Sequence, residues 1–501
     1  MYLQQLYPPV DSREVETDSY VFGPDLHMVV KGDISPEMLA HLQTLFSQFT
    51  FTAGALSWQL LPGGKAVTAV LAEDIHGQPV WEADKTSSYS IAVNREGIQI
   101  YAQDACSFSY ALSTFLQLLI PECLEPGQER FSIQYTKIHD KAALGYRMIH
   151  LCVFPETKPE LLVKAVRLAG FMKFTHVILE FWGTFPYRCL PELHWKGKAY
   201  TLAQVKSLIQ EIRRFGMEPV PMLNHLGHAS QCRASVGRHV VLDQNPRYAK
   251  LFEPDGWTWC ISNPEALSLL AQMRAELLEV FGPGSFFHLG FDEAYSFASC
   301  PQCRSAAEDK AVFLADYING LAAQLHEIGR RAIIWHDELV DGDLFQDKVK
   351  PSEKLIPVRP HIHKTERAID LIDKDIIIAD WQYWLYESGS PTSEYFMEHG
   401  YDVLLCPWDA PENIRNMCAS AKKSGAAGVI FTTWNTLEDC LPLIPLAGSL
   451  MWAADTAEAN QKEGELAWTE SSAILRKLTS DMQGYEVHGW YPYEINLRHL
   501  K

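Results

Sequence analysis

The sequence predicts an α/β protein: a (β/α)8 TIM-type barrel, preceded by a small α+β domain and followed by a short helical tail. Three observations carry that prediction. Eight short apolar runs alternate with amphipathic stretches after residue 144. No glycine-rich phosphate turn follows the first run, which favours a closed barrel over a doubly wound open sheet. The segment before residue 140 has a different, strand-like periodicity.

Within residues 1–140, YSIAVNREGIQIYAQD alternates about a turn at Arg95-Glu96-Gly97, and SFSYALSTFLQLLI has helical spacing. That order suggests a sheet with a helix on one face, an accessory domain. PECLEPGQERFSIQYTKIHDK has the Pro, Gly and charge of a connection, so the boundary is placed at 140. The barrel is expected over 141–454. Its strand candidates are GYRMIHL, THVILEF, EPVPMLN, SFFHLG, RAIIWH, IIIADW, DVLLC and GVIFTTW. Between them lie helical stretches such as TLAQVKSLIQEIRRFG and PEALSLLAQMRAELLEVFG, each ending in the Gly of a C-cap. Eight such units in about 310 residues match a (β/α)8 barrel in count and size. Residues 455–501 read as one more helix and an aromatic tail packed on the barrel.

Composition narrows the function. The chain has 501 residues, 47% hydrophobic and 21% charged, which is ordinary globular usage. Its 43 basic and 62 acidic residues give a net charge of -19, a field that repels nucleic acid and anionic membrane surfaces. The start, MYLQQLYPPVDSREVETDSY, lacks the basic and apolar regions of a secretory signal, and the 11 cysteines are too dispersed for a disulfide scaffold. A cytoplasmic protein with reduced thiols is the expectation.

In such a barrel the working residues gather at the C-terminal ends of the strands. The runs deliver Arg147, then Asn224-His225 with His228, Asp292-Glu293, Trp335-His336-Asp337, Asp380-Trp381, Trp408-Asp409 and Trp434-Asn435. Four strands thus send a tryptophan to one rim. A single Trp is as often simply core. Four at equivalent positions, with acids among them, suit a sugar, whose ring faces stack on indole and whose hydroxyls need polar partners. The tandem acids Asp292 and Glu293 are badly placed as the two opposed carboxylates of ordinary glycoside cleavage, which stand about 5 to 9 Å apart. An ionised aspartate beside a glutamate does raise the glutamate's pKa, which suits a general acid. A bare Asp-Glu pair is also a common solvated turn.

His288-Leu289-Gly290-Phe291-Asp292-Glu293 resembles the His-x-Gly-x-Asp-Glu signature of family 20 glycoside hydrolases, the β-N-acetylhexosaminidases. Gly145-Tyr146-Arg147 is similar to that family's first-strand arginine, and PMLNHLGH to its third-strand segment ending in histidine. Trp335, Trp381 and Trp434 fall where its pocket tryptophans are expected. The resemblance spans roughly 60–450. It implies exo-hydrolysis of terminal β-linked GlcNAc or GalNAc with retention, the sugar's own acetamido oxygen acting as nucleophile, and no catalytic cofactor. On that analogy Asp292 steadies the acetamido group and Glu293 is the acid and base. Arg147, His228, Trp335, Trp381, Trp408, Asp409 and Trp434 bind substrate. Tyr383 is the candidate for the family tyrosine that donates to the acetamido oxygen. Phe291 stands where many members have glycine, and Leu226 where proline is usual. A relative preferring a decorated sugar, such as 6-sulfo-GlcNAc read by Arg233 or Arg304, and a silent carbohydrate-binding barrel are the alternatives.

Cys300-Pro301-Gln302-Cys303 follows the fourth strand, and Cys232 and Cys260 follow the third. A C-x-x-C with two further cysteines within reach is compatible with a structural zinc site, against the alternative of plain buried thiols. The expected partners are an oligosaccharide or glycoconjugate and, as a homodimer, a second copy of the chain.

Overall fold

The computed structural model describes residues 6–23, 25–50, 56–72, 87–123, 125, 127–232, 238–356, 364–434, 436–454 and 472–482. Eight strands form the first sheet: β1 Ser12–Phe22, β2 Leu26–Lys31, β3 Leu56–Leu61, β4 Val67–Ala72, β5 Tyr89–Asn94, β6 Gly97–Ala102, β7 Ile120–Cys123 and β8 Arg130–Asp140. Their order is β1-β8-β5-β6-β4-β2-β3, with β7 on β8, and only β2 and β3 run parallel. The helices Pro36–Thr50 and Ala105–Leu118 pack against it, and Phe46 of the first stacks on Phe115 of the second with ring centres 6.3 Å apart.

One expectation is corrected here. The supposed connection contains β8, an 11-residue strand paired to both β1 and β5. Its apolar positions Phe131, Ile133 and Ile138 are buried, and the turn residues that suggested a linker lie before it, at Glu125 to Glu129.

Eight parallel strands close the barrel: β9 Tyr146–Val153, β10 His176–Phe181, β11 Glu218–Met222, β12 Phe286–His288, β13 Arg331–Trp335, β14 Ile377–Trp381, β15 Val403–Cys406 and β16 Gly428–Thr432. Strand β16 pairs back onto β9, Gly428 opposite Tyr146. All the β-strand interiors are buried, as a parallel sheet covered by helices requires. Strand β12 is shorter than its apolar run. The chain leaves the ladder at Leu289, whose N–H still bonds Ile333 O at 2.8 Å, and turns at Gly290.

A buried polar knot joins sheet to barrel. Lys173 Nζ meets Asp140 Oδ2 at 2.9 Å and Tyr89 Oη at 2.7 Å, while Trp452 Nε1–H donates to Asp140 Oδ1 at 2.9 Å. Every member is buried, so each polar atom depends on the others. Of the expected C-terminal extension, residues 472–478 are helical and Arg167 of the helix Pro159–Phe171 holds Leu478 O and Asp481; the aromatic tail lies outside the described residues. Among the described residues no helix is long and apolar enough to cross a membrane.

Candidate active site

The acids sit on a turn that the local sequence makes obligatory. After Gly290, Phe291 and Glu293 both take left-handed backbone, with φ of 84° and 50°. A Cβ on Gly290 would lie 2.0 Å from Asn224 Oδ1, and one on Gly227 would lie 1.9 Å from Asp292 O. Both glycines therefore let the loops after β11 and β12 touch, which brings His228 onto the acids. His228 and Trp434 are left-handed as well, at 55° and 41°. Four non-glycine residues in a strained conformation at one end of one barrel mark a site whose geometry is imposed by its surroundings.

His228 Nε2 is 2.9 Å from Asp292 Oδ2 and 3.5 Å from Glu293 Oε2. Burial alone would depress its pKa, but Asp292, then Glu293 and Glu180, outweigh burial and carry it up to about 9. His228 is thus a cation at neutral pH, pinned between the tandem carboxyls. Asp292 is 2% exposed, and its Oδ1 has no hydrogen-bond partner among the described residues. Glu293 keeps 33% of its side chain exposed. Its pKa is raised, chiefly by burial and then by Asp292, with His228 opposing. One acid is therefore held and hidden, and its neighbour is accessible and inclined to keep a proton.

The other acids at these strand ends are already committed. Asp337 accepts Glu293 N–H at 2.8 Å and Trp381 Nε1–H at 3.2 Å, and Glu338 accepts Ala294 N–H at 3.1 Å. Burial, then Asp292, raises Asp337 to about 7, and burial, then Asp337, raises Glu338 to about 8. Glu180, at the end of β10, bonds His150 Nε2 at 3.0 Å and Asn224 Nδ2–H at 2.5 Å. His150, then His228 and Trp182, overcome its burial and hold it down to about 2.

The tryptophans expected at the rim converge. Trp335 is fully buried between His288, at 4.3 Å between ring centres, and Trp434, at 5.6 Å. Trp381, Tyr383 and Trp408 form a file with ring centres 5.2 Å apart at each step. Tyr383 Oη receives Trp434 Nε1–H at 2.6 Å, and Trp408 Nε1–H goes to Thr436 Oγ1 at 2.9 Å. Asp409 follows Trp408, half-buried, in the loop after β15.

Arg147 is a correction. It lies at the N-terminal end of β9, opposite the mouth, 3% exposed. Its guanidinium donates to the carbonyls of Lys173 (2.8 Å), Leu144 (2.7 Å) and Gly145 (3.2 Å) and lies over the Tyr110 and Trp452 rings. No face of it is left for a sugar. Its strand was right and its end of the strand was wrong. Two other strand-end residues also point away: His225 meets Arg274 at 3.1 Å, and Asp380 binds Thr392 and Ser393 on the outer face. Asn435 and Arg233 lie outside the described residues.

The site also contains residues the sequence reading passed over: His150, Glu180, Trp182 and Trp257. Glu180 ends THVILEF and could have been taken by the same strand-end rule. Trp182 and Trp257 flank His228 at 5.2 and 4.5 Å between ring centres, from loops that carry no periodic signal.

One mouth of the closed parallel barrel thus carries an accessible glutamate with raised proton affinity, an aspartate braced by a histidine, and a group of indoles. Residues 175–445 match the model of glycosyl hydrolase family 20, catalytic domain, and the chain belongs to that family. It is 25% identical over 230 residues to the beta-hexosaminidase subunit beta of Entamoeba histolytica, covering 42% of this chain and 38% of that protein. The matched segment thus spans less than two fifths of this relative's length. Among solved structures, the β-N-acetylhexosaminidase of Bacteroides fragilis superposes with a TM-score of 0.66 at 18% identity, covering 96% of each chain. The chitobiase of Flavobacterium johnsoniae gives 0.68 at 15%, over 96% of this chain and 73% of its own. These likenesses show the fold.

Proposed function

We propose that this chain is an exo-acting β-N-acetylhexosaminidase that releases terminal β-linked GlcNAc or GalNAc from oligosaccharides or glycoconjugates, with the substrate's acetamido oxygen as nucleophile. The observation that carries this reading is the division of labour between Asp292 and Glu293. Asp292 offers one buried, unpartnered oxygen, Oδ1, while His228 holds the other. An acetamido N–H is a donor that would satisfy that oxygen and be oriented by it. As the acyl oxygen attacks the anomeric carbon, positive charge spreads over the forming oxazolinium ring, and a carboxylate beside it stabilises that charge. Glu293, with raised proton affinity and access to solvent, protonates the departing oxygen and then takes a proton from the incoming water.

A two-carboxylate mechanism needs a free nucleophile facing Glu293. Asp337 and Glu180, the nearby candidates, have their oxygens taken by backbone and side-chain donors. That favours the sugar as its own nucleophile. Trp381, Trp408 and Trp434 with Tyr383 would wall the ring, Trp335 packing behind Trp434, and Tyr383 Oη, an acceptor from Trp434, has its own proton left to donate to the acyl oxygen. The test is a panel of aryl glycosides: N-acetyl-β-glucosaminide, N-acetyl-β-galactosaminide, their 6-sulfates and the plain β-glucoside. Turnover of the first two is expected. Exclusive turnover of the sulfates moves the assignment to a decorated sugar, and binding without turnover to a silent barrel.

A further inference from the structure

We propose that Cys260, Cys300, Cys303 and Glu253 form a structural zinc site that clamps the loops after β11 and β12 behind the tandem acids. Cys260 Sγ lies 3.5 Å from Cys300 Sγ and 3.6 Å from Cys303 Sγ. Tetrahedral zinc with bonds of about 2.3 Å spaces its sulfurs about 3.8 Å apart, so these thiols are nearly at ligand separation. They are well beyond the ~2.05 Å of a disulfide. The fourth donor is Glu253. Its Oε2 accepts the N–H groups of Ser299 (3.0 Å) and Cys300 (2.5 Å), and its Oε1 is buried with no hydrogen-bond partner among the described residues. One donor atom from each of the four residues lies within 4.8 Å of all the others.

The surroundings are those of a ligand set. Cys260, Cys303 and Glu253 are 1%, 0% and 2% exposed, and an unpartnered carboxylate oxygen at that depth costs folding free energy unless something cationic meets it. The Cys303 N–H donates to Cys300 Sγ at 3.3 Å, the arrangement that stabilises a thiolate in a C-x-x-C turn. Three thiolates and one carboxylate at tetrahedral spacing select zinc over harder cations, each thiol releasing its proton to solvent on binding. Cys232, expected as a ligand from the sequence, is outside this set, and Glu253 takes its place.

The clamp is next to the chemistry without taking part in it. Trp257, between Glu253 and Cys260, donates its indole N–H to Glu293 O at 2.8 Å, and Cys300 is seven residues beyond Glu293 on the same loop. The proposal does not rest on the sugar assignment, and its readout is the metal itself.

Full-length protein purified without chelator should carry about one zinc per chain by plasma mass spectrometry. Cys260→Ser and Cys303→Ser should carry less than about a tenth of that, Cys232→Ser the full amount, and Glu253→Gln should lose zinc to a competing chelator at least roughly tenfold faster. Should the serine variants fail to fold, cobalt exchanged into the wild type should show thiolate-to-metal charge-transfer and tetrahedral d–d bands. The proposal is overturned by metal-free wild type, by metal retained in both serine variants, by loss in Cys232→Ser, or by a cobalt spectrum without thiolate bands.

Discussion

Replacing His228 with Asn removes a charge from the tandem acids while leaving a hydrogen-bond donor beside Asp292. The magnitude follows from the site. The pKa of His228 rises from 6.5 to about 9 because Asp292 at 2.9 Å, with Glu293 and Glu180, outweighs the opposing effect of burial. At about 1.36 kcal/mol per pKa, this links on the order of 3 kcal/mol of folding free energy to one proton. The folded value lies above the unfolded one, so the stabilisation is complete below pH 6.5 and is lost as pH climbs through about 9. Urea unfolding of wild type and His228→Asn, followed by tryptophan fluorescence at about pH 6 and about pH 10, reads the difference. The variant should be weaker by roughly 3 kcal/mol more at the lower pH than at the higher. The same variant frees Glu293 from a neighbouring cation, so the basic limb of its kcat/KM profile should move to higher pH. An equal stability gap at both pH values refutes the reasoning, because it would mean that folding leaves the proton affinity of His228 unshifted.

Other outcomes follow from the same geometry. Arg147→Met strands the carbonyls of Lys173, Leu144 and Gly145 under the barrel, so it should cost about 3 kcal/mol or more of stability while KM stays within about twofold. A tenfold rise in KM with unchanged melting temperature would return Arg147 to the sugar. Phe291→Gly relaxes a backbone φ of 84° but removes a ring that is 1% exposed and packed on Tyr317 at 5.7 Å. Relief of about 1 kcal/mol against a cavity cost of about 3–5 kcal/mol predicts a net loss in denaturant midpoint; a gain would show that the ring contributes little. Glu293→Gln should lower kcat at least about a thousandfold on natural oligosaccharides, and much less on aryl glycosides whose leaving group needs no proton. Equal losses on both would move the acid elsewhere.

Much of this was legible because strand and helix write themselves as periodicity. Each of the eight apolar runs coincides with a barrel strand to within two residues at each end, and HLGFDE announced its turn through Gly290. Strand β8 was missed because Pro121, Pro126 and Gly127 stand just before an alternating run, and the breakers drew the eye from RFSIQYTKIHD. Arg147 was misplaced for a different reason: a run of apolar residues identifies a strand but not which of its ends a flanking side chain serves. The proposed zinc ligands show a third limit. Four cysteines are candidates in sequence and three of them come together, but Glu253 could be found only in space, where a long irregular connection folds it against Ser299 and Cys300. Asp337 and Glu338 stand in tandem after the fifth run as Asp292 and Glu293 do after the fourth. Their hydrogen bonds to the Glu293 and Ala294 N–H groups make them the scaffold of that turn.

The most direct measurement varies the substrate's acyl group. Aryl β-glucosaminides bearing acetyl, fluoroacetyl, difluoroacetyl and trifluoroacetyl amides differ little in size but progressively weaken the acyl oxygen as a nucleophile. If that oxygen attacks the anomeric carbon beside Asp292, log kcat should fall steeply along the series, and the plain glucoside should be inert. A flat series, or a glucoside hydrolysed as fast as the acetamide, would show that the protein supplies the nucleophile and that the pairing of Asp292 with Glu293 has another purpose.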